Sequence, residues 1–209
     1  MKRIIIIGTG GNAKVVLDAV LCRIRSGEEL RIEGFLDDND DRKSVRSYPI
    51  LGTLQRIDNY CVEKDIRFVN AVGNNVARKR IFERYPDVDY DSVVHPSVQI
   101  GTGVVIGEGS VVMAGAIINA DSSIGKQTLI NTGAIIEHDN RIGDFVHVAS
   151  GAATAGNVRI GSGSMLGTGA KVIQGIAIGS NAMIGAGAVV ISDIPDDCTA
   201  VGVPARIIR

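Results

Sequence analysis

The sequence predicts two architectures in series: an α/β layer on a parallel sheet over residues 1–90, and a prism wound from short parallel strands over 91–209. Three observations carry this expectation. A β-branched run at residues 4–7 ends in a glycine-rich turn, and apolar residues at helical spacing follow it. From position 94 to 190 an aliphatic residue returns every six positions at seventeen sites; sixteen are Val, Ile or Leu, and Thr154 is the exception. The composition agrees: 4% aromatic residues, no Trp and 26 Gly suit a repetitive scaffold filled by aliphatic side chains.

Taken in order, Ile4, Ile5, Ile6 and Ile7 read as a strand buried on both faces. Gly8-Thr9-Gly10-Gly11-Asn12-Ala13 turns the chain, and Val15, Val16, Ala19, Val20 and Ile24 mark a helix. A second strand at residues 32–36 ends in Asp37-Asp38, and a third at 68–72 ends in Gly73-Asn74-Asn75. A helix carrying Arg78, Lys79, Arg80 and Phe82 follows. The turn fits G-x-G-x-x-A after a strand and at the start of a helix, the context in which glycine lets backbone N–H groups approach a phosphate. A complete dinucleotide site needs two such halves, and this chain changes character near residue 94. Half of a Rossmann-like fold, holding a mononucleotide or nucleotide sugar, is therefore expected, with Asp37 and Asp38 placed to accept from ribose or base. The other reading is a turn that merely closes a strand–helix junction. Residues 85–91, with Pro86 and several acids, read as the linker.

In the second half, period six matches neither the 3.6 of an α-helix nor the longer period of helical solenoids. It matches short strands joined by corners. Gly often follows the aliphatic position, and small residues such as Ser110, Ser122, Thr128, Ala134 and Ser164 stand four places after it. A large inward residue, a tight corner and a small inward residue describe a triangular prism.

Net charge is −1 with the two signs interspersed, so nothing suggests a nucleic-acid surface and none is expected. Cys22, Cys61 and Cys198 show no metal spacing and suit a reducing cytoplasm. The N-terminal apolar run is too short for a signal peptide, and no stretch approaches the ~20 apolar residues that cross a bilayer. Of the three histidines, His95 reads as a capping or surface residue, and His147 lies on a prism face. His138 falls at a corner beside Asp139, with Ala120-Asp121 and Gly156-Asn157 eighteen residues before and after. The residues leave two readings open for it: a general base whose basicity the acid raises, or a solvated histidine with an acidic neighbour. Zinc would need converging histidines that the spacing does not supply, so no metal is expected.

The glycine turn, Phe35-Leu36-Asp37-Asp38, Ala71-Val72-Gly73-Asn74-Asn75 with Arg78, Ile130-Asn131-Thr132, Ile136-Glu137-His138-Asp139, His147-Val148-Ala149, Ala155-Gly156-Asn157-Val158 and the closing Val201-Gly202-Val203-Pro204-Ala205-Arg206 cover almost the whole chain. In this order they resemble the sialic acid O-acetyltransferase (NeuD-type) family of hexapeptide-repeat acyltransferases, in particular its bacterial UDP-4-amino-sugar N-acetyltransferase members. The resemblance implies a left-handed parallel β-helix with three hexads to a coil. Seventeen hexads give five to six coils, a stack roughly 25–30 Å tall. It also implies a homotrimer with active sites between subunits.

Carried onto this chain, the resemblance makes His138 the catalytic base and Asp139 the acid beside it. His147, Gly156, Thr168 and Ala186 match contacts to acetyl-coenzyme A. Gly10, Gly11 and Asn12 match the phosphate turn, Asp37 and Asp38 the uracil and ribose site with Gly73 beside it, and Asn131 falls near the sugar. Two positions depart from the pattern: Asn12 stands where His is usual, and Asn140 where Cys is common. The expectation is a cytoplasmic, acetyl-coenzyme A-dependent N-acetyltransferase acting on a nucleotide-linked amino sugar, with no membrane insertion. The alternatives are an O-acetyltransferase of a sialic acid or other sugar hydroxyl, and a non-catalytic nucleotide-sugar-binding scaffold.

Overall fold

The computed structural model describes residues 1–38 and 42–208. It forms two compact units, Met1–Pro96 and Ser97–Arg209.

In the first unit, β1 (Lys2–Ile7), α1 (Gly11–Arg25), β2 (Leu30–Leu36), β3 (Ser44–Val45), β4 (Tyr48–Gly52), α2 (Ile57–Tyr60), β5 (Ile66–Asn70) and α3 (Asn75–Arg84) follow in order. The sheet order is β3-β4-β2-β1-β5, parallel except for the β3–β4 hairpin. The four isoleucines of β1 are fully buried at its centre, as an apolar run covered on both faces requires. The hairpin was not expected, since Pro49 and the short strands hide it. Pro is tolerated there because β4 has only β3, two residues long, on its outer side.

The stretch expected as a linker is instead part of this unit. Tyr85, Val88 and Tyr90 are buried against Ile5, Phe68 and Ile57 in one apolar cluster. Phe68 N donates to Asp89 O and Asp91 N to Phe68 O, both at 2.9 Å, so the chain pairs beside β5. Asp91, also buried, takes a bond from Arg23 Nη1 at 2.7 Å. The acids between the apolar residues point outward and give the segment the look of a linker.

Between residues 99 and 190 the second unit carries two-residue strands in three parallel sheets whose partners stand eighteen residues apart: Ile118, Ile136, Thr154, Val172 and Val190 form one inward column. Its corners turn on two residues, the second of them left-handed. Gly supplies that conformation at most corners, while Asp121, Asp139 and Asn157 supply it in one column with φ of 60°, 60° and 57°. Asp and Asn are the side chains that tolerate it best. The Gly that follows the aliphatic residue has another cause. At Gly125 a Cβ would lie 2.5 Å from Asp144 N and Gly143 C, so glycine there lets consecutive coils stack.

Candidate active site

At the C-terminal ends of β1, β2 and β5 the first unit opens a cleft of about 390 Å³ with an apolar wall of Ile7, Leu36, Leu54 and Val72. Asp37, Asp38, Arg80 and Arg84 bring charge to it. This is the crevice at which open parallel sheets bind ligands. Gly10, the residue before α1, has an ordinary φ of −69° and no side chain with which to cap the helix. No atom lies within 4 Å of where a Cβ would stand on Gly10 or Gly11. The protein's own packing does not demand glycine at either position. Their bareness instead leaves the N–H groups of the first helical turn open to an incoming anion.

The expected contact residues of this unit do gather at that edge, though some are partly engaged by the protein. One Asp37 carboxylate oxygen accepts from Thr9 N at 2.9 Å and Thr9 Oγ1 at 2.8 Å, which braces the glycine turn against β2. Asp38 Oδ1 accepts from Leu54 N at 2.8 Å. Asn12 donates to Ala71 O at 2.9 Å, tying the turn to the end of β5, and a Cβ placed on Gly73 would lie 3.7 Å from the Asn12 Cβ. Arg78, fully buried, closes the loop after β5 with bonds to Val72 O, Gly73 O and Asn75 Oδ1 at 3.0, 3.2 and 2.9 Å. Burial lowers its pKa to about 10. Sequence reasoning missed Thr9, Arg80 and Arg84 as parts of the site. The i, i+4 spacing of the two arginines, one face of α3, was the available signal for the last two.

On the prism, His138 and Asp139 are the two corner residues of one hexad. His138 Nδ1 lies 2.7 Å from Asp139 Oδ2. The left-handed backbone of Asp139 folds its carboxylate back beside the ring. Both side chains are open to solvent, at 61% and 59% exposure. The hydrogen bond to Asp139 raises the His138 pKa above its ordinary value; desolvation opposes this, and the charges of Asp139 and Glu137 add to the rise. An ionised Asp139 accepts the Nδ1 proton, so the Nε2 lone pair faces outward.

Gly156 stands directly above. A Cβ on it would come within 2.5 Å of His138 Cε1 and 2.6 Å of Nε2. Glycine at that place makes room for the ring. The Gly156 N–H has no hydrogen-bond acceptor among the described residues, which leaves it open beside the imidazole. Asn140, one residue past the corner, is fully buried inside the coil.

The remaining expected residues assemble elsewhere on the prism. Asn131 Nδ2 is 3.2 Å from His147 Nε2. Because Asn131 Oδ1 accepts from Thr132 N at 2.9 Å, the amide nitrogen faces the ring and Nε2 acts as acceptor. Thr168 and Ala186, eighteen apart, stand at the corner that carries Thr132 one coil pair below. That corner and the His138 corner are separated by the strand Ile135–Ile136 and its stacked partners. Within one chain the residues therefore form two groups on two edges. Among the described residues no three His, Cys, Asp or Glu side chains are placed to hold a metal ion.

A glycine-turn α/β unit followed by hexapeptide coils with an exposed His–Asp pair at a corner defines a hexapeptide-repeat acyltransferase of the left-handed β-helix type. Residues 3–85 match the PglD N-terminal domain, and residues 157–192 match the bacterial transferase hexapeptide of six repeats. The acetyltransferase domain of PglB from Neisseria gonorrhoeae is 37% identical, with all of both chains covered and a TM-score of 0.92. A mutant of perosamine N-acetyltransferase from Caulobacter crescentus, solved in complex with CoA and GDP-perosamine, is 36% identical over 100% of this chain and 98% of that one, with a TM-score of 0.92. UDP-N-acetylbacillosamine N-acetyltransferase of Bacillus subtilis is 42% identical over 122 residues, 54% of this chain, and the match spans about half (52%) of that protein's length. The chain belongs to the family of hexapeptide-repeat acetyltransferases with a PglD-type N-terminal domain.

Proposed function

We propose that the chain transfers the acetyl group of acetyl-coenzyme A to the amino group of a nucleotide-linked amino sugar, a UDP-linked 4-amino sugar being the expected acceptor. The observation that carries this is the His138–Asp139 pair at 2.7 Å beneath a Gly156 whose missing side chain keeps Nε2 accessible. Asp139 holds the imidazole with its proton on Nδ1. His138 Nε2 then removes a proton from the sugar amine as its nitrogen attacks the thioester carbonyl. Positioned base catalysis of this kind contributes ~10²–10⁴-fold. The open N–H of Gly156 offers a donor for the developing oxyanion, and coenzyme A departs as its thiolate.

Nucleotide binding is assigned to the cleft of the first unit, where the first turn of α1 would meet phosphate and Asp37 and Asp38 flank the base and ribose. The similar proteins named for UDP-N-acetylbacillosamine and GDP-perosamine support a nucleotide-sugar acceptor. His147, Thr168 and Ala186 are assigned to the coenzyme, with Asn131 near the sugar. No helix among the described residues is long and apolar enough to cross a membrane.

The test uses purified full-length protein, acetyl-coenzyme A and a panel of UDP-, GDP- and CMP-linked amino and hydroxy sugars, scored by mass. One acetyl added to an amino sugar nucleotide, and loss of turnover by at least ~10²-fold in His138→Ala, is the expected result. Acetyl transfer only to hydroxyl acceptors would overturn the N-acetyl assignment.

A further inference from the structure

The inner slot four places after each aliphatic residue repeatedly holds a hydroxyl that performs the same two tasks. Ser110, Ser122, Thr128 and Ser164 donate to the carbonyl fifteen residues on, that of Gly125, Glu137, Gly143 and Gly179, at 2.6–2.9 Å. They accept from the N–H eighteen residues on, that of Thr128, Asn140, Val146 and Ala182, at 2.9–3.2 Å. One small hydroxyl thus ties each such coil to the next and leaves nothing unpaired.

Asn140 occupies the same slot directly behind the His138 corner and behaves differently. Its Nδ2 makes the common bond to the carbonyl fifteen residues on, Ala155 O at 2.9 Å. It also donates to Glu137 O at 2.6 Å and His138 O at 3.2 Å. Three carbonyl acceptors around one end of the amide identify that end as nitrogen. The Oδ1 atom is buried with no hydrogen-bond partner, a destabilising arrangement that a serine would avoid. The coil itself therefore gains nothing from asparagine that a hydroxyl would not give.

Glu137 O already accepts from Ser122 Oγ at 2.8 Å and His138 O from Asn157 N at 2.9 Å; asparagine adds a second donor, from inside the coil, to each of these two carbonyls on either side of the His138 Cα. One side chain bound to both couples the two peptide planes that flank this residue, and so further restricts the direction of its Cα–Cβ bond. We propose that Asn140 is a positioning residue for His138: it aims the imidazole from inside the coil without touching substrate. The proposal rests on His138 being the base.

The experiment compares Asn140→Ser and Asn140→Thr, which restore the hydroxyl found in the other slots, with Asn140→Ala and with His138→Ala. Melting temperature, kcat and both KM values are measured on full-length protein. The expected result is that the Ser and Thr variants melt close to the wild type yet lose about ten- to a hundredfold in kcat, with both KM values unchanged. Wild-type kcat in a hydroxyl variant that melts normally would overturn the proposal, as would a loss confined to KM. Full turnover in His138→Ala would be a separate failure, that of the base assignment itself, and would remove the proposal with it.

Discussion

Asp139 acts on His138 in two ways that a single substitution separates. Its hydrogen bond to Nδ1 raises the imidazole pKa, and it fixes the tautomer that leaves Nε2 free. The proposed base works only when neutral. A pKa raised in the folded protein therefore means that activity is lost as pH falls through that raised value and is regained above it. Asp139→Asn removes the charge and lets the ring settle toward its ordinary pKa. The acidic limb of the kcat/KM profile should move to lower pH, while the plateau falls by ~10²-fold or more because an amide can donate to Nδ1 and leave the proton on Nε2. A profile whose limb stays where the wild type has it would show that Asp139 does not set the basicity of the catalytic group. Asn at this corner keeps the left-handed backbone, as Asn157 does one coil on, so the comparison isolates charge from fold.

At the scale of the strand and the coil, Thr154 is the one break in the aliphatic column, and the structure gives it no compensation. It is 1% exposed, its Oγ1 is buried without a partner, and it stacks between Ile136 and Val172. Thr154→Val keeps the branched shape and removes the orphan hydroxyl. Stability should rise by about 1 kcal/mol, or roughly 2–4 °C in melting temperature for a chain of this size; an unchanged or lower midpoint in denaturant would mean that the hydroxyl has a partner in solution. The same column shows what the sequence made legible. A side chain that must point inward once per hexad leaves its period in plain view, so the prism, its register and the His138 corner could be read directly. Other features depend on through-space geometry that spacing does not carry. Gly125 is glycine because the next coil lies against it, which looks identical in sequence to a glycine demanded by a turn. The acids around Tyr85, Val88 and Tyr90 masked a buried edge. Asp37 stood out at a strand end, but nothing local showed that Thr9 takes both of its donors to it. Asn140 stood out only as a departure from the family pattern, Asn where Cys is common; the three carbonyls it serves come from its own corner and the coil above.

For the whole molecule, the proposed site residues fall on two edges of the prism. His138, Asp139 and Gly156 occupy one corner of the prism; Asn131 and Thr168 with Ala186 occupy another, and a sheet face lies between them. If both sets serve one thioester, a single copy cannot supply them. A cyclic assembly of copies, a trimer if the family resemblance holds, would bring the His138 edge of one subunit to the proposed coenzyme edge of its neighbour. Complementation tests this directly. His138→Ala removes the base and leaves the other edge intact. Ala186→Trp places a large ring at an exposed corner of that other edge and leaves His138 intact. Each variant alone should be inactive. When the two are co-expressed in equal amounts and assemble at random, about a quarter of the shared sites receive an intact edge from each side, so roughly a quarter of wild-type activity should return. With the whole site inside one chain, every subunit would carry one defect and mixing would restore nothing. Complete inactivity of the mixture, with mixed oligomers verified by a tag on one variant, would therefore rule out the shared site.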